Sequence, residues 1–214
     1  MLTLKGKSVF AGITIGPLAL FHRNTISTAS HTVENPEVEV IRFQKARDES
    51  IEQLKGLYDK AVQKVGEEQA AVFEVHQMML EDDDYVDSVE EKIRNGKINA
   101  EAAVDQTAQE LADMFRHMED AYMQARAADV LDISRRVEQQ LCGGAGIDFS
   151  KYDHVIIAAD DLAPSETLQL DTDRILGFVT SSGSTNSHTA ILARTLGIAA
   201  VVNTGNQLHN DVDG

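Results

Sequence analysis

The sequence has one cysteine, no long apolar run and few basic residues, and each shortage removes a class of function. Cys142 stands alone, so it can form no internal disulfide and belongs to no cysteine cluster for a metal. It is expected to serve in packing rather than as a nucleophile. No apolar stretch approaches the ~20 residues that a membrane-spanning helix needs. The opening Met1-Leu2-Thr3-Leu4-Lys5-Gly6-Lys7 lacks a basic segment followed by an apolar core, which argues against a secretory signal. Together these features predict a cytoplasmic protein without a membrane partner. With 19 Lys and Arg against 35 Asp and Glu, the formal net charge is −16, which argues against a nucleic-acid surface. Neither an internal repeat nor a low-complexity segment is visible.

The 214 residues suffice for one large domain or two modest ones. Between Ser8 and Phe21, β-branched residues mix with Gly12, Gly16 and Pro17, which predicts one or two short strands broken by turns. A polar connector runs from His22 to Asn35. From Pro36 the period becomes helical. Val40, Phe43, Ile51, Leu54, Tyr58, Ala61 and Val65 recur at three- and four-residue steps, with an interruption near Arg47 and an end or bend at Gly66. Glu67-Glu68 opens the next stretch, Glu81 to Asp84 reads as a break and a new N-terminus, and Gly96 as a stop. Asn99 is a candidate cap for a helix striped by Val104, Ala108, Leu111, Phe115, Met118 and Tyr122. The last stripe, Ala127, Val130, Ser134, Val137 and Leu141, closes at Gly143-Gly144. Short links between such helices predict an antiparallel bundle. Met78, Met79, Met114, Met118 and Met123 are expected to fill its core.

After Gly146 strands and helices alternate. Strands are expected at 154–159, 175–180 and 199–202, with a short helix from Pro164 and another from His188 to Leu196. The expected fold class is α/β plus α: a small mixed-sheet subdomain with a helical bundle inserted after its first strands. The expected boundaries are 1–32 with 145–214 for the α/β part and 33–144 for the bundle. Asp211-Val212-Asp213-Gly214 reads as a turn entering a further strand, so the chain is expected to be one piece of a longer protein.

The chemistry concentrates in Gly183-Ser184-Thr185-Asn186-Ser187-His188-Thr189-Ala190-Ile191-Leu192-Ala193-Arg194. A small polar loop here delivers one histidine onto the start of an apolar helix. Helix N-termini carry unpaired N–H groups and partial positive charge, so they favour anions. They also disfavour imidazolium, leaving a ring nitrogen free for a phosphoryl group. An isolated histidine at a helix start is more often a simple polar residue, and the flanking pattern must decide. His22, His31, His117, His154 and His209 show no ligand-like spacing, so no metal site is expected. Gly183-Ser184-Thr185 is no phosphate-binding P-loop, because no Gly-Lys-Ser/Thr follows.

These residues resemble the N-terminal portion of Enzyme I, the phosphoenolpyruvate–protein phosphotransferase family of the bacterial sugar phosphotransferase system. The segment 183–194 is similar to its phosphohistidine loop, which pyruvate phosphate dikinase and phosphoenolpyruvate synthase share. The helical stretch Gly66 to Asp82, Arg126-Ala127-Ala128-Asp129-Val130 and Asp161-Leu162-Ala163-Pro164-Ser165-Glu166-Thr167 resemble Enzyme I in particular. Two positions depart from the commonest loop. Ser184 stands where a second glycine is usual, and Thr185 where arginine is frequent.

The resemblance implies a swivelling-type phosphohistidine subdomain. It makes His188 the transiently phosphorylated residue, Thr167 the group that orients it, and Gly183, Asn186, Ser187 and Thr189 the phosphate loop. Phosphoenolpyruvate would supply the phosphoryl group and the histidine phosphocarrier protein HPr would receive it. Glu67, Glu68, Ala71, Glu74, His76 and Arg126 fall where HPr would dock, within the stretch that holds most of the acidic residues. The resemblance places phosphoenolpyruvate and Mg²⁺ in a C-terminal barrel outside these residues, so this chain should exchange phosphate with HPr only. Another phosphoenolpyruvate-dependent phosphotransferase (a multiphosphoryl protein or a dihydroxyacetone-kinase phosphodonor) and a non-catalytic carrier-docking paralogue remain as alternatives.

Overall fold

The computed structural model describes residues 3–21, 26–143 and 152–205. The expected turn at 211–214, the residue Gly144, and His22 and His209 lie outside them. The elements run β1 (Lys7–Phe10), β2 (Leu18–Leu20), α1 (Pro36–Val65), α2 (Glu67–Glu81), α3 (Asp83–Gly96), α4 (Ala100–Arg116), α5 (Ala121–Leu141), β3 (Val155–Ala159), α6 (Pro164–Leu168), β4 (Ile175–Thr180), α7 (His188–Thr195) and β5 (Ala199–Val202). Helices α1 to α5 thus enter the chain between β2 and β3. Two compact units result: Met1–Asn24, Lys60–Val72 and Ile147–Gly214 form a sheet unit, and Thr25–Asp59 with Phe73–Gly146 a helical unit. Residues 60–72 cluster with the strands, although their helical period had grouped them with the bundle.

Local chemistry sets most helix ends. Gly66 separates α1 from α2 at φ +89°, a backbone conformation that favours glycine. Asp82 caps α3 by accepting from the Asp84 amide at 2.9 Å, and Asp120 caps α5 by accepting from the amides of Tyr122 and Met123. Asn99 occupies the cap position of α4 but bonds elsewhere: its Oδ1 accepts from the His31 amide and its Nδ2 donates to Glu101. The first amide of α4, on Ala100, donates instead to Glu39 Oε2 of α1 at 2.9 Å. Arg42 then bridges Glu39 and Glu101 at 2.7 and 2.6 Å, so the N-terminus of α4 is held through an ion-paired group 61 residues away.

The interruption expected near Arg47 does not break α1. Ala46 and Ser50 continue the buried stripe with small side chains, and Ser50 Oγ donates to the Ala46 carbonyl at 2.7 Å. Phe43, Leu54, Phe73, Leu80 and Ile93 lie fully buried in the helical unit. The methionines do not fill this core. Phe73, His76 and Leu80 take the buried face of α2, and Ala108 and Ala112 that of α4. Met78 and Met114 are therefore left 67% and 49% exposed. Cys142 is likewise exposed at the end of α5 rather than packed. Desolvation, with Glu101 and Glu138 nearby, raises its thiol pKa, which favours the neutral form.

In the sheet unit the strand order is β1-β5-β4-β3-β2. β1 is antiparallel to β5, and the remaining neighbours are parallel, so the sheet is mixed as its alternating elements predict. Short helical crossovers (β3-α6-β4 and β4-α7-β5) force the parallel pairing. Gly177 lets β4 and β5 approach, since a Cβ there would lie 2.6 Å from the Ala199 carbonyl oxygen. Helix α7 packs on β1 and β5, burying Ala190, Ala193 and Ile198 with Ile157, Phe178 and Val202. The carboxyl ends of β3, β4 and β5 consequently share one edge, where ligands of parallel sheets generally bind.

Candidate active site

Three loops are tied together at that edge. After β3, the Asp160 carbonyl accepts from the Ser182 amide at 2.9 Å, from the Ser182 hydroxyl at 2.7 Å and from the Ser181 hydroxyl at 3.1 Å. After β5, the amides of Asn203, Thr204 and Gly205 donate to the carbonyls of Ser182, Thr180 and Ser181. The Ser181–Ser182 turn is thus held from both sides before the chain reaches Gly183.

Gly183 is required twice over. Its φ is +102°, and a Cβ there would come within 3.3 Å of Asp161 Oδ1. Ser184 needs no such freedom: among the described non-glycine residues only Lys97, His154 and Asn203 have positive φ. The serine instead builds the turn. Its Oγ accepts from the Asn186 amide at 3.2 Å, and its carbonyl accepts from the Ser187 amide and hydroxyl at 3.2 and 2.9 Å. Thr185 contributes its carbonyl, which accepts from Arg194 Nη2 while Arg194 Nε donates to the Ala190 carbonyl. Arg194 thereby joins the last turn of α7 to the loop that precedes it.

Ser187 is the N-cap of α7, its Oγ accepting from the Ala190 amide at 3.2 Å. His188 is the first residue of the helix and is half-buried. Thr189, expected in the phosphate loop, turns inward. Its hydroxyl is buried and donates to the Leu162 carbonyl at 2.6 Å, so its proton is already committed. Thr167 is fully buried on α6, which packs against α7. Its hydroxyl donates to the Ala163 carbonyl at 3.1 Å, which leaves that oxygen as an acceptor toward any further partner. Asn186 stays exposed.

The remaining predicted residues lie on α2 and α5. Glu67, Glu68 and Glu74 are exposed and Ala71 is half-buried. Residues 67, 71, 74 and 78 recur at helical steps, so Glu67, Ala71, Glu74 and Met78 share one stripe of α2. Periodicity had assigned Met78 to the core, and its exposure within an acidic stripe was the signal it hid. His76 is a correction. It is fully buried, with Nε2 3.2 Å from Asp129 Oδ1 and Nδ1 3.7 Å from Asp132 Oδ2, and so cannot face a partner. Arg126 pairs with Asp129 at 3.4 Å and stacks over Tyr122, 4.7 Å from the ring centroid. Its side chain is 15% exposed, and Tyr122 carries more of that surface.

Among the described residues, no cluster of three or more His, Cys, Asp or Glu side chains could hold a metal, and no helix is long and apolar enough to cross a membrane.

Comparison with known proteins supplies two family matches. Residues 5–126 match the N-terminal domain of phosphoenolpyruvate-utilising enzymes, and residues 151–214 match their mobile domain. Proteins named phosphoenolpyruvate-protein phosphotransferase align along nearly the whole chain. The one from Bacillus subtilis (strain 168) is 37% identical over 205 residues, which are 95% of this chain and 36% of the relative. The one from Lactococcus lactis is 39% identical over 209 residues, 95% of this chain and 36% of the relative. The chain therefore spans about a third of the length of these relatives. A solution structure of Enzyme I superposes with a TM-score of 0.76 at 32% identity, covering 97% of this chain and 85% of that one. The N-terminal domain of a nitrogen-type Enzyme I agrees in fold, with a TM-score of 0.64 at 22% identity.

Proposed function

The chain belongs to the phosphoenolpyruvate-utilising enzymes, as an Enzyme I N-terminal portion, and we propose that it carries a phosphoryl group on His188 between phosphoenolpyruvate and the phosphocarrier HPr. The observation that supports this most is the placement of His188 as the first residue of α7, at the carboxyl edge of the parallel strands. A phosphoryl group on its ring would meet the positive end of the helix. Gly183 and the turn around Ser184 shape that approach, Asn186 lies exposed beside it, and Ser187 holds the helix start.

Transfer is a balanced displacement. The lone pair of an unprotonated His188 ring nitrogen attacks phosphorus and an N–P bond forms. The bond from phosphorus to the enol oxygen of phosphoenolpyruvate breaks, and the pyruvate enolate that leaves takes up a proton. In the second step the HPr histidine forms the new N–P bond and the electron pair returns to His188. Thr167 orients the ring. With its own proton on the Ala163 carbonyl, its oxygen accepts a ring N–H and leaves the opposite nitrogen as nucleophile. Catalysis of this kind rests on positioning and electrostatics.

HPr docks on the exposed stripe of α2, where Glu67, Glu68 and Glu74 steer a basic patch and Ala71 and Met78 supply apolar contact. Arg126 with Tyr122 adds a contact on α5. The resemblance assigns Mg²⁺ to the whole enzyme. Among the described residues no group of three or more His, Cys, Asp or Glu fits that ion.

Two phosphoryl donors test the proposal on the 214 residues by themselves. Phosphorylated HPr should label the chain with an acid-labile phosphate, and phosphoenolpyruvate with Mg²⁺ should not. Labelling by phosphoenolpyruvate alone would show that these residues hold the donor site after all.

A further inference from the structure

Thr189 and Thr167 converge on one turn. The Thr189 hydroxyl donates to the Leu162 carbonyl at 2.6 Å, and the Thr167 hydroxyl donates to the next carbonyl, that of Ala163, at 3.1 Å. The peptide group between them is gripped at both ends, because the Ala163 amide donates to Glu166 Oε2 at 2.7 Å. The preceding amide, on Leu162, donates to Asp161 Oδ1 at 2.9 Å. Leu162 is buried, and so are both threonines. One rigid turn therefore carries the proposed orienting hydroxyl on its α6 side and receives the α7 side through the residue next to His188.

We propose that Thr189 is a positioning residue that sets the His188 ring against Thr167 through the Leu162–Ala163 turn. This rests on the reading of His188 as the phosphorylated residue. The Thr189 bond links the start of α7 to a neighbouring element. The N-cap bond of α7, from Ala190 to Ser187, and the bonds of Ser187 to Ser184 all lie within the loop and helix themselves. They fix the shape of the loop but not its place against α6. The Thr189–Leu162 bond spans 27 residues and joins α7 to the segment that opens α6.

The test compares Thr189→Val, Thr189→Ser and Thr167→Val in the 214-residue chain. Three quantities are measured: the rate of labelling by phosphorylated HPr, the ¹⁵N shifts of the two His188 ring nitrogens, and the thermal midpoint. Thr189→Val should slow labelling by ~10- to 100-fold, the range expected for a misplaced reacting group. It should also move the ring-nitrogen shifts in the same direction as Thr167→Val, and Thr189→Ser should restore both. If Thr189→Val labels at the parent rate, or slows labelling with unchanged ring-nitrogen shifts, the positioning role is overturned and the bond is only structural. If Thr189→Val fails to fold, Thr189→Ala decides by the same criteria. Failure of the underlying reading looks different: the parent chain would take no label, or His188→Ala would take it equally well.

Discussion

The helical unit and the edge of the sheet unit differ in how much they rely on ion pairs. In the helical unit ion pairs are frequent: Arg42 with Glu39 and Glu101, Arg94 with Glu37 and Glu90, and Lys92 with Glu110, beside neutral bonds such as Tyr85 to Ser134. Around His188 hydroxyl-to-carbonyl bonds from Thr167, Thr180, Ser181, Ser182, Ser187, Thr189 and Thr204 are frequent, and the carboxylates of Asp161 and Glu166 accept from backbone amides. Arg194 spends donors on backbone carbonyls. Ion pairs suit a scaffold that need not change charge. A site proposed to gain and lose a phosphoryl group is better framed by dipoles, which keep their geometry in both states without favouring one.

Two histidines carry the contrast furthest. His188 starts a helix and is half-buried, whereas His76 sits in mid-helix with no exposure, flanked by aspartates and by the edge of Phe73, 6.2 Å between ring centroids. The largest expected effect is therefore on chemistry: His188→Ala should abolish labelling from phosphorylated HPr and leave the circular dichroism spectrum and thermal midpoint nearly unchanged.

His76→Ala should do the reverse. Truncating this fully buried side chain leaves a cavity between α2 and the aspartates of α5, at a cost of about 3 kcal/mol measurable by urea unfolding. The fraction still folded should label at the parent rate, and a loss of labelling per folded molecule would move His76 into the site.

A third expectation concerns Glu138, a buried carboxyl on α5. Desolvation first, and the Asp105 charge second, push its pKa up to about 7, with Arg135 opposing. The folded state thus binds the proton more tightly than the unfolded chain. Stability from this group is present in full below about pH 4.5, the ordinary value, and is lost as pH rises through about 7. Glu138→Gln should raise stability by about 2 kcal/mol at pH 8 and by little at pH 4.5. Equal effects at both values would remove burial as the cause.

The smallest effect is at the surface. Glu67→Lys with Glu68→Lys should weaken HPr binding by about 1 kcal/mol at low salt and flatten its salt dependence, read by titration calorimetry at two ionic strengths. No change in either would reduce these glutamates to solvated surface.

Much of the secondary structure was legible because its causes are local. Gly66 and Asp82 mark helix boundaries through their own backbone preference or side chain, and the change of period after Gly146 announced the sheet; at the expected stop Gly96 it is the next residue, Lys97, that takes the left-handed conformation. What escaped the sequence depends on partners far along the chain. Ala46 and Ser50 looked like a gap in α1, yet both are buried, which their small side chains alone do not announce. The methionines look like core by hydrophobicity, yet Phe73 and Leu80 had taken the inner face of α2. In the candidate site, His188 could be read from its loop and helix. The inward turn of Thr189 could not, because its acceptor, the Leu162 carbonyl, lies 27 residues away and has no side-chain signature. His76 left a clue in Asp129 and Asp132, two acids three residues apart on α5 whose side chains are little exposed.

Locating the phosphate tests the central claim most directly. The chain labelled by phosphorylated HPr can be digested at alkaline pH, where phosphohistidine survives, and its peptides sequenced by mass spectrometry. The account predicts phosphate on His188 alone. Phosphate on His76, or on any residue of the helical unit, would contradict it.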